Sequence, residues 1–130
     1  MNELKCSPHL FQKYVPTSYG RDVRVIVIGD KVVGGMLRCS VNDFRSNIGV
    51  GGQGTPFILD ETYCSLSLRI AHTLGLSYCG VDFLFGIDGP VVCEVNSNAF
   101  FYAFERVTGL NVAGAYAEHI CRRIYGGLPR

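Results

Sequence analysis

The sequence predicts an α+β fold, an antiparallel β-sheet with helices packed on one face. Three observations predict it. Two apolar stretches rich in Val, Ile and Phe each carry a turn signal at mid-length, Gly29-Asp30 in one and Ile87-Asp88-Gly89 in the other, so both read as hairpins. Two other segments, Tyr63 to Leu74 between the hairpins and Ala113 to Ile124 after them, space their apolar residues at helical period behind capping residues. The resulting order is hairpin, loop, helix, hairpin, helix, helix. Hairpins in place of strand–helix–strand alternation imply an antiparallel sheet.

Phe11 to Val15 reads as a short strand closed by Pro16. Asp22 to Ile28 alternates and is Val/Ile-rich, a strong strand, and Lys31 to Cys39 is its return. Glycine in the first place of the Gly29-Asp30 turn suits type II′. Val41 to Gly54 is polar and then glycine-rich, and reads as a functional loop more than as a strand. Asp60 is placed to cap a helix with Tyr63, Leu66, Ile70 and Leu74 on one face, and Gly75 to end it. After the second hairpin, Phe100 to Val107 reads as a short helix. Asn111 caps a last helix through Tyr125, with Ala113, Tyr116, Ile120 and Ile124 on one face and Gly126 as its stop.

At 130 residues the chain makes one domain, long enough to bury a core, and a charged fraction of 18% against 48% hydrophobic excludes a disordered chain. The net charge of +1 gives no field toward nucleic acid or anionic membrane, and no apolar run nears the roughly 20 residues that span a bilayer. Neither nucleic acid nor membrane is expected as a partner. The first eight residues lack the apolar stretch of a signal peptide. The six cysteines form no C-x-x-C pair and lie mostly in apolar strand or helix patterns; they read as free, mostly buried thiols of a cytoplasmic protein. His9, His72 and His119 are isolated, and none reads as a catalytic base.

The chemistry concentrates in Asp82, Glu94 and Asn96, which interrupt the two apolar strands Gly80–Phe85 and Pro90–Asn96. A carboxylate inside such a strand carries a desolvation cost that must be offset, and a hard cation such as Mg²⁺, which takes oxygen ligands, would offset it. The turn decides the matter. A two-residue Asp88-Gly89 loop would pair Asp82 with Val95 and send the two carboxylates to opposite faces. A three-residue Ile87-Asp88-Gly89 loop, with Gly89 left-handed, would set Asp82 opposite Glu94 with Asn96 on the same face. The alternative is that all three are solvated polar positions on a half-exposed hairpin. Asp22 and Arg24 share a face of the first hairpin, and Arg45 and Asn47 lie in the glycine-rich loop. Two arginines beside a metal site suit a polyphosphate. The glycines match neither the P-loop nor the G-x-G-x-x-G pattern.

These residues resemble a family. From Phe11 to about Tyr125 the chain looks like the C-terminal part of an ATP-grasp domain, in the RimK-type branch of amino-acid ligases related to glutathione synthetases. Four segments carry the resemblance: Gln12-Lys13-Tyr14-Val15, Gly20-Arg21-Asp22-Val23-Arg24, Asp43-Phe44-Arg45-Ser46-Asn47 with Gly51-Gly52, and Asp82 with Glu94-Val95-Asn96. The resemblance implies ATP binding by Lys13, Tyr14, Val15, Asp22, Arg45, Ser46 and Asn47. It implies catalytic charge stabilisation by Arg24 and Arg45, and two Mg²⁺ (or Mn²⁺) ions held by Asp82, Glu94 and Asn96. The implied reaction joins a carboxylate to an amine through an acyl phosphate, with ATP and the carboxylate/amine pair as partners. Lys13 departs from the branch's usual Glu, and Asn98-Ala99-Phe100 from its usual Ser-Pro-Gly.

The family also has an N-terminal domain and a first ATP-grasp lobe. Residues 1–130 are expected to be a single domain, the C-terminal half of an ATP-grasp domain with those parts absent, and so inactive alone and open to self-association. The alternative is a non-catalytic binding or oligomerisation module that keeps the lobe's fold.

Overall fold

The computed structural model describes residues 8, 10–40 and 53–126. A 3-10 turn, Pro16–Ser18, leads into β1 (Arg21–Ile28) and β2 (Lys31–Cys39). There follow β3 (Gln53–Phe57), α1 (Glu61–Thr73), β4 (Tyr78–Gly86), β5 (Gly89–Asn96), α2 (Tyr102–Thr108) and α3 (Val112–Tyr125). The five strands form one antiparallel sheet in the order β3-β2-β1-β4-β5. The fold is the α+β antiparallel architecture that the sequence predicts.

The placement of the helices differs from expectation. Side chains alternate along β1, and both sets are apolar. Val23, Val25 and Val27 pack with Val81, Phe83, Tyr63 and Ala71, which puts α1 on one face. Ile26 and Ile28 pack with Met36, Phe104 and Val112, which puts α2 and α3 on the other. Helices therefore cover both faces and not one, because a strand apolar on both sides needs cover on both. Each fully buried Val or Phe contributes about 1.5–3 kcal/mol.

The turns and caps follow from residue chemistry. Gly29 has φ +56° and no non-glycine residue among those described has positive φ, so Gly29-Asp30 has the II′ pattern, with only its first residue left-handed. The Asp60 side chain accepts from the Tyr63 N–H at 3.1 Å and caps α1; Asn111 accepts from the Gly114 N–H at 2.7 Å and caps α3. Gly75 and Gly126, with φ of +65° and +71°, terminate these helices. In α3, however, the core takes Val112, Ala115 and Tyr116, while Ala113, Ile120 and Ile124 are exposed. Only the first turns of α3 face the sheet.

Two strand assignments also change. Phe11 to Val15 forms no strand; it runs irregularly into the Pro16–Ser18 turn. β3 (Gln53–Phe57) begins in the last two residues of the stretch read as a loop and runs past it, with Pro56 inside the strand. An edge strand tolerates proline, because one side of its backbone needs no ladder partner. Among the described residues Cys39, Cys64, Cys79, Cys93 and Cys121 are free thiols, and only Cys79 is fully buried. No described helix is long and apolar enough to cross a membrane.

Candidate functional site

Each hairpin reaches its pairing through one extra residue. In the first, Val27 pairs with Val32 and Ile26 with Gly34, so Val33 is bulged. The step brings Arg38 opposite Asp22; an uninterrupted ladder would bring Leu37 there. In the second hairpin the loop is Ile87-Asp88, with Gly86 paired to Gly89. Phe83 pairs with Val92 and Asp82 with Glu94, so Cys93 is bulged. Asp82 thus stands opposite Glu94 as expected, but by a two-residue turn plus a bulge and not by a three-residue turn. Gly89 has φ +128°, a backbone that favours glycine. Gly80 pairs with Asn96, so Asn96 shares the face of Asp82 and Glu94.

On that face Asp22, Arg24, Arg38 and Asp82 form one chain of charge. Arg24 donates through Nε and Nη2 to both oxygens of Asp82, at 2.8 and 2.7 Å. Arg38 donates through Nε and Nη2 to both oxygens of Asp22, at 2.6 Å each, and Nη2 reaches Asp82 as well, at 2.9 Å. Asp82 and Arg38 are 3% and 5% exposed, so the network is largely withdrawn from water. Burial opposes the charge on Arg38, but the hydrogen bond to Asp22 and the charges of Asp82 and Asp22 outweigh it and raise its pKa. The desolvation of Asp82 is offset here by two guanidinium groups. Arg38 was missed in the sequence because its place opposite Asp22 depends on the Val33 bulge, which no residue type announces.

A cleft of about 1130 Å³ opens beside this network, between residues 12–19 and the β4–β5 hairpin. Side chains tie the two walls together. Thr17 Oγ1 donates to the Phe85 carbonyl at 2.5 Å, the Phe85 N–H donates to Ser18 Oγ at 2.9 Å, and Gln12 Nε2 donates to the Cys93 carbonyl at 3.4 Å. The cleft gathers Lys13, Tyr14, Val15, Asp22, Asp82 and Glu94, together with Arg38 and Cys93. Arg24 and Asn96 are not among its lining residues, although Arg24 is joined to Asp82. Arg45, Ser46 and Asn47 lie outside the described residues. Burial, then the charges of Asp82, Asp22 and Glu94, push the Cys93 thiol up, so it is a poor nucleophile.

The donor chemistry at the second hairpin suits a hard cation: two carboxylates and one amide oxygen on one face. Among the described residues no three His, Cys, Asp or Glu side chains cluster as a metal site, so the third oxygen would be that of Asn96. Glu94 is exposed and makes no ion pair among the described residues, which leaves its oxygens available.

Residues 1–120 match the RimK-like ATP-grasp domain. The chain is 45% identical over 123 residues to human beta-citrylglutamate synthase B, covering 93% of this chain and 32% of the relative. It is 44% identical over 114 residues to human N-acetylaspartylglutamate synthase A (86% and 29%), and 44% over 116 residues to a probable alpha-L-glutamate ligase of Rhodopirellula baltica (88% and 29%). It therefore spans about a third of the length of these curated relatives. Among solved structures it is similar to the ATP-grasp ligase PsnB complexed with a phosphomimetic variant of its minimal precursor, Mg and ADP. That likeness has a TM-score of 0.66 and 26% identity over 80% of this chain and 32% of PsnB. Sequence match and fold agree, and the chain belongs to the RimK-like ATP-grasp family of ligases.

Proposed function

We propose that this chain is the ATP- and cation-binding lobe of a ligase that joins a carboxylate to an amine. The observation that carries the reading is the cleft in which the 12–15 wall, Asp22, Asp82 and Glu94 meet, beside a face that also bears Arg24 and Asn96. In this reading the Lys13–Val15 edge receives the adenine, and Asp22 lies near the nucleotide. Arg24, with Arg45, Ser46 and Asn47, meets the phosphates, where a guanidinium fork matches phosphate oxygens. Asp82, Glu94 and Asn96 would hold Mg²⁺ or Mn²⁺, two ions in all, which when bound neutralise charge on the phosphates.

The reaction runs as two transfers. A substrate carboxylate oxygen attacks the γ-phosphorus of ATP, giving an acyl phosphate and ADP. The amine then attacks the acyl carbon, the C–N bond forms as the C–O bond to phosphate breaks, and phosphate leaves with the oxygen it gained while the nitrogen gives up a proton to it or to water. No protein nucleophile is required; Arg24 and Arg45 stabilise charge on the transferring group, and the lobe contributes chiefly by holding its substrates in place. The relatives synthesise glutamate-containing products by name, so an amino-acid or peptide substrate is the first class to test. ATP chemistry and free thiols fit a cytoplasmic protein.

A chimera tests the reading. This chain replaces the matching segment of human beta-citrylglutamate synthase B, and ATP-dependent formation of beta-citrylglutamate is assayed. The reading expects product from the chimera and none from its Glu94→Gln variant. A folded, soluble chimera that makes no product, or a variant as active as its parent, would count against it.

A further inference from the structure

We infer that Arg24 is an exchangeable counter-ion of Asp82. It pairs with both oxygens of that carboxylate and releases them when a divalent cation and polyphosphate enter, while Arg38 stays fixed on Asp22. The inference rests on the reading of Asp82 as a cation ligand given above.

The geometry distinguishes the two arginines. Arg24 spends both its short contacts, 2.8 and 2.7 Å, on the two oxygens of Asp82, and has no other carboxylate partner among the described residues. Arg38 spends two contacts of 2.6 Å on Asp22 and only one, of 2.9 Å, on Asp82. Arg24's side chain is also the more exposed, at 16% against 6%. The four groups carry two positive and two negative charges, so the closed network is neutral in itself. Neutrality suits a partly buried cluster, but it leaves no surplus positive charge for an anion.

A divalent cation on Asp82 alters that balance. Asp82 then carries two arginines and a dication, and like charges crowd one carboxylate. Arg38 keeps a full partner in Asp22. Arg24 has no second carboxylate among the described residues, and its guanidinium becomes available to the phosphate oxygens. Cation and polyphosphate would thus help each other to bind through one side chain, with Arg24 serving first as lock and then as ligand.

The test is ¹⁵N NMR of the arginine Nε–H groups of this chain, assigned with the Arg24→Lys and Arg38→Lys variants. Spectra are taken without ligand and with Mg²⁺ plus β,γ-imido-ATP. The Arg24 Nε–H is expected to shift and to exchange with solvent about tenfold faster when ligand binds, as its hydrogen bond to Asp82 is lost. The Arg38 Nε–H should stay protected. If the backbone amides of Asp82 and Glu94 shift but the Arg24 Nε–H does not, the exchange is wrong and the cation reading survives. If both arginines lose protection together, the distinction between them is wrong. If no resonance near Asp82 and Glu94 responds, the cation reading fails and this inference with it.

Discussion

Arg38 donates to two carboxylates at once, twice to Asp22 and once to Asp82, and all three side chains are buried. Asp22 takes both its charged hydrogen bonds from this one arginine. Arg38→Met keeps an apolar stem of similar length but strands Asp22 in a poorly hydrated site, and breaking a buried pair from one side costs about 3–5 kcal/mol. Urea unfolding should show a loss of that size, and adding Asp22→Leu should restore part of it. A loss under about 1 kcal/mol would mean the pair is worth no more than a surface salt bridge. The residues of the charged network and cleft that stand out in the sequence do so by type: carboxylates at 82 and 94 in apolar strands, and Asp22 and Arg24 two apart on one strand. Arg38 does not stand out, because an arginine near the end of Lys31 to Cys39 resembles any strand-terminal charge until its register is known.

Register is a property of the element, and both hairpins correct theirs by one residue. The pairing of Asp82 with Glu94 was foreseen, but the sequence suggests a three-residue turn where the protein uses Ile87-Asp88 and a bulge at Cys93. Turn and bulge shift the ladder equally, and an apolar residue such as Cys93 or Val33 gives no sign that it will be left unpaired. Caps were legible because they act locally: Asp60 and Asn111 each bond a backbone N–H three residues on. The Gly29-Asp30 turn is equally local, and it now carries a tertiary constraint. A methyl at Gly29 would lie 2.5 Å from the His119 ring in addition to requiring a φ of +56°. Gly75 has a similar φ, +65°, with nothing near it. Gly75→Ala should therefore cost only the left-handed backbone, about 1–2 kcal/mol, and Gly29→Ala distinctly more. Thermal unfolding of the two variants decides; equal losses would show that His119 yields freely.

Over the whole molecule the buried thiols and phenols give stability a direction with pH. Burial raises the pKa of Cys64, Cys79 and Cys93, and of Tyr63 and Tyr78. The folded chain thus holds protons that the unfolded chain releases, so the contribution is complete below the unfolded thiol pKa of about 8.5 and is lost as pH climbs beyond it. Chemical denaturation should show falling stability from about pH 9 upward; stability that stays level to pH 10.5 would contradict the burial of these groups. The same scale sets the expectation for activity. The chain spans about a third of its curated relatives, and the described residues enclose its cleft only in part. Phosphate contacts on an open face are screened by water and salt. The chain by itself is expected to show no ligase turnover. The most direct measurement of the central claim is calorimetric titration of β,γ-imido-ATP in excess Mg²⁺ into this chain and into its Glu94→Gln and Asp82→Asn variants. The parent chain is expected to bind in the millimolar range, about −4 kcal/mol, and both substitutions to abolish that binding. Heat that is the same in all three proteins, or no binding by the parent chain, would contradict the claim.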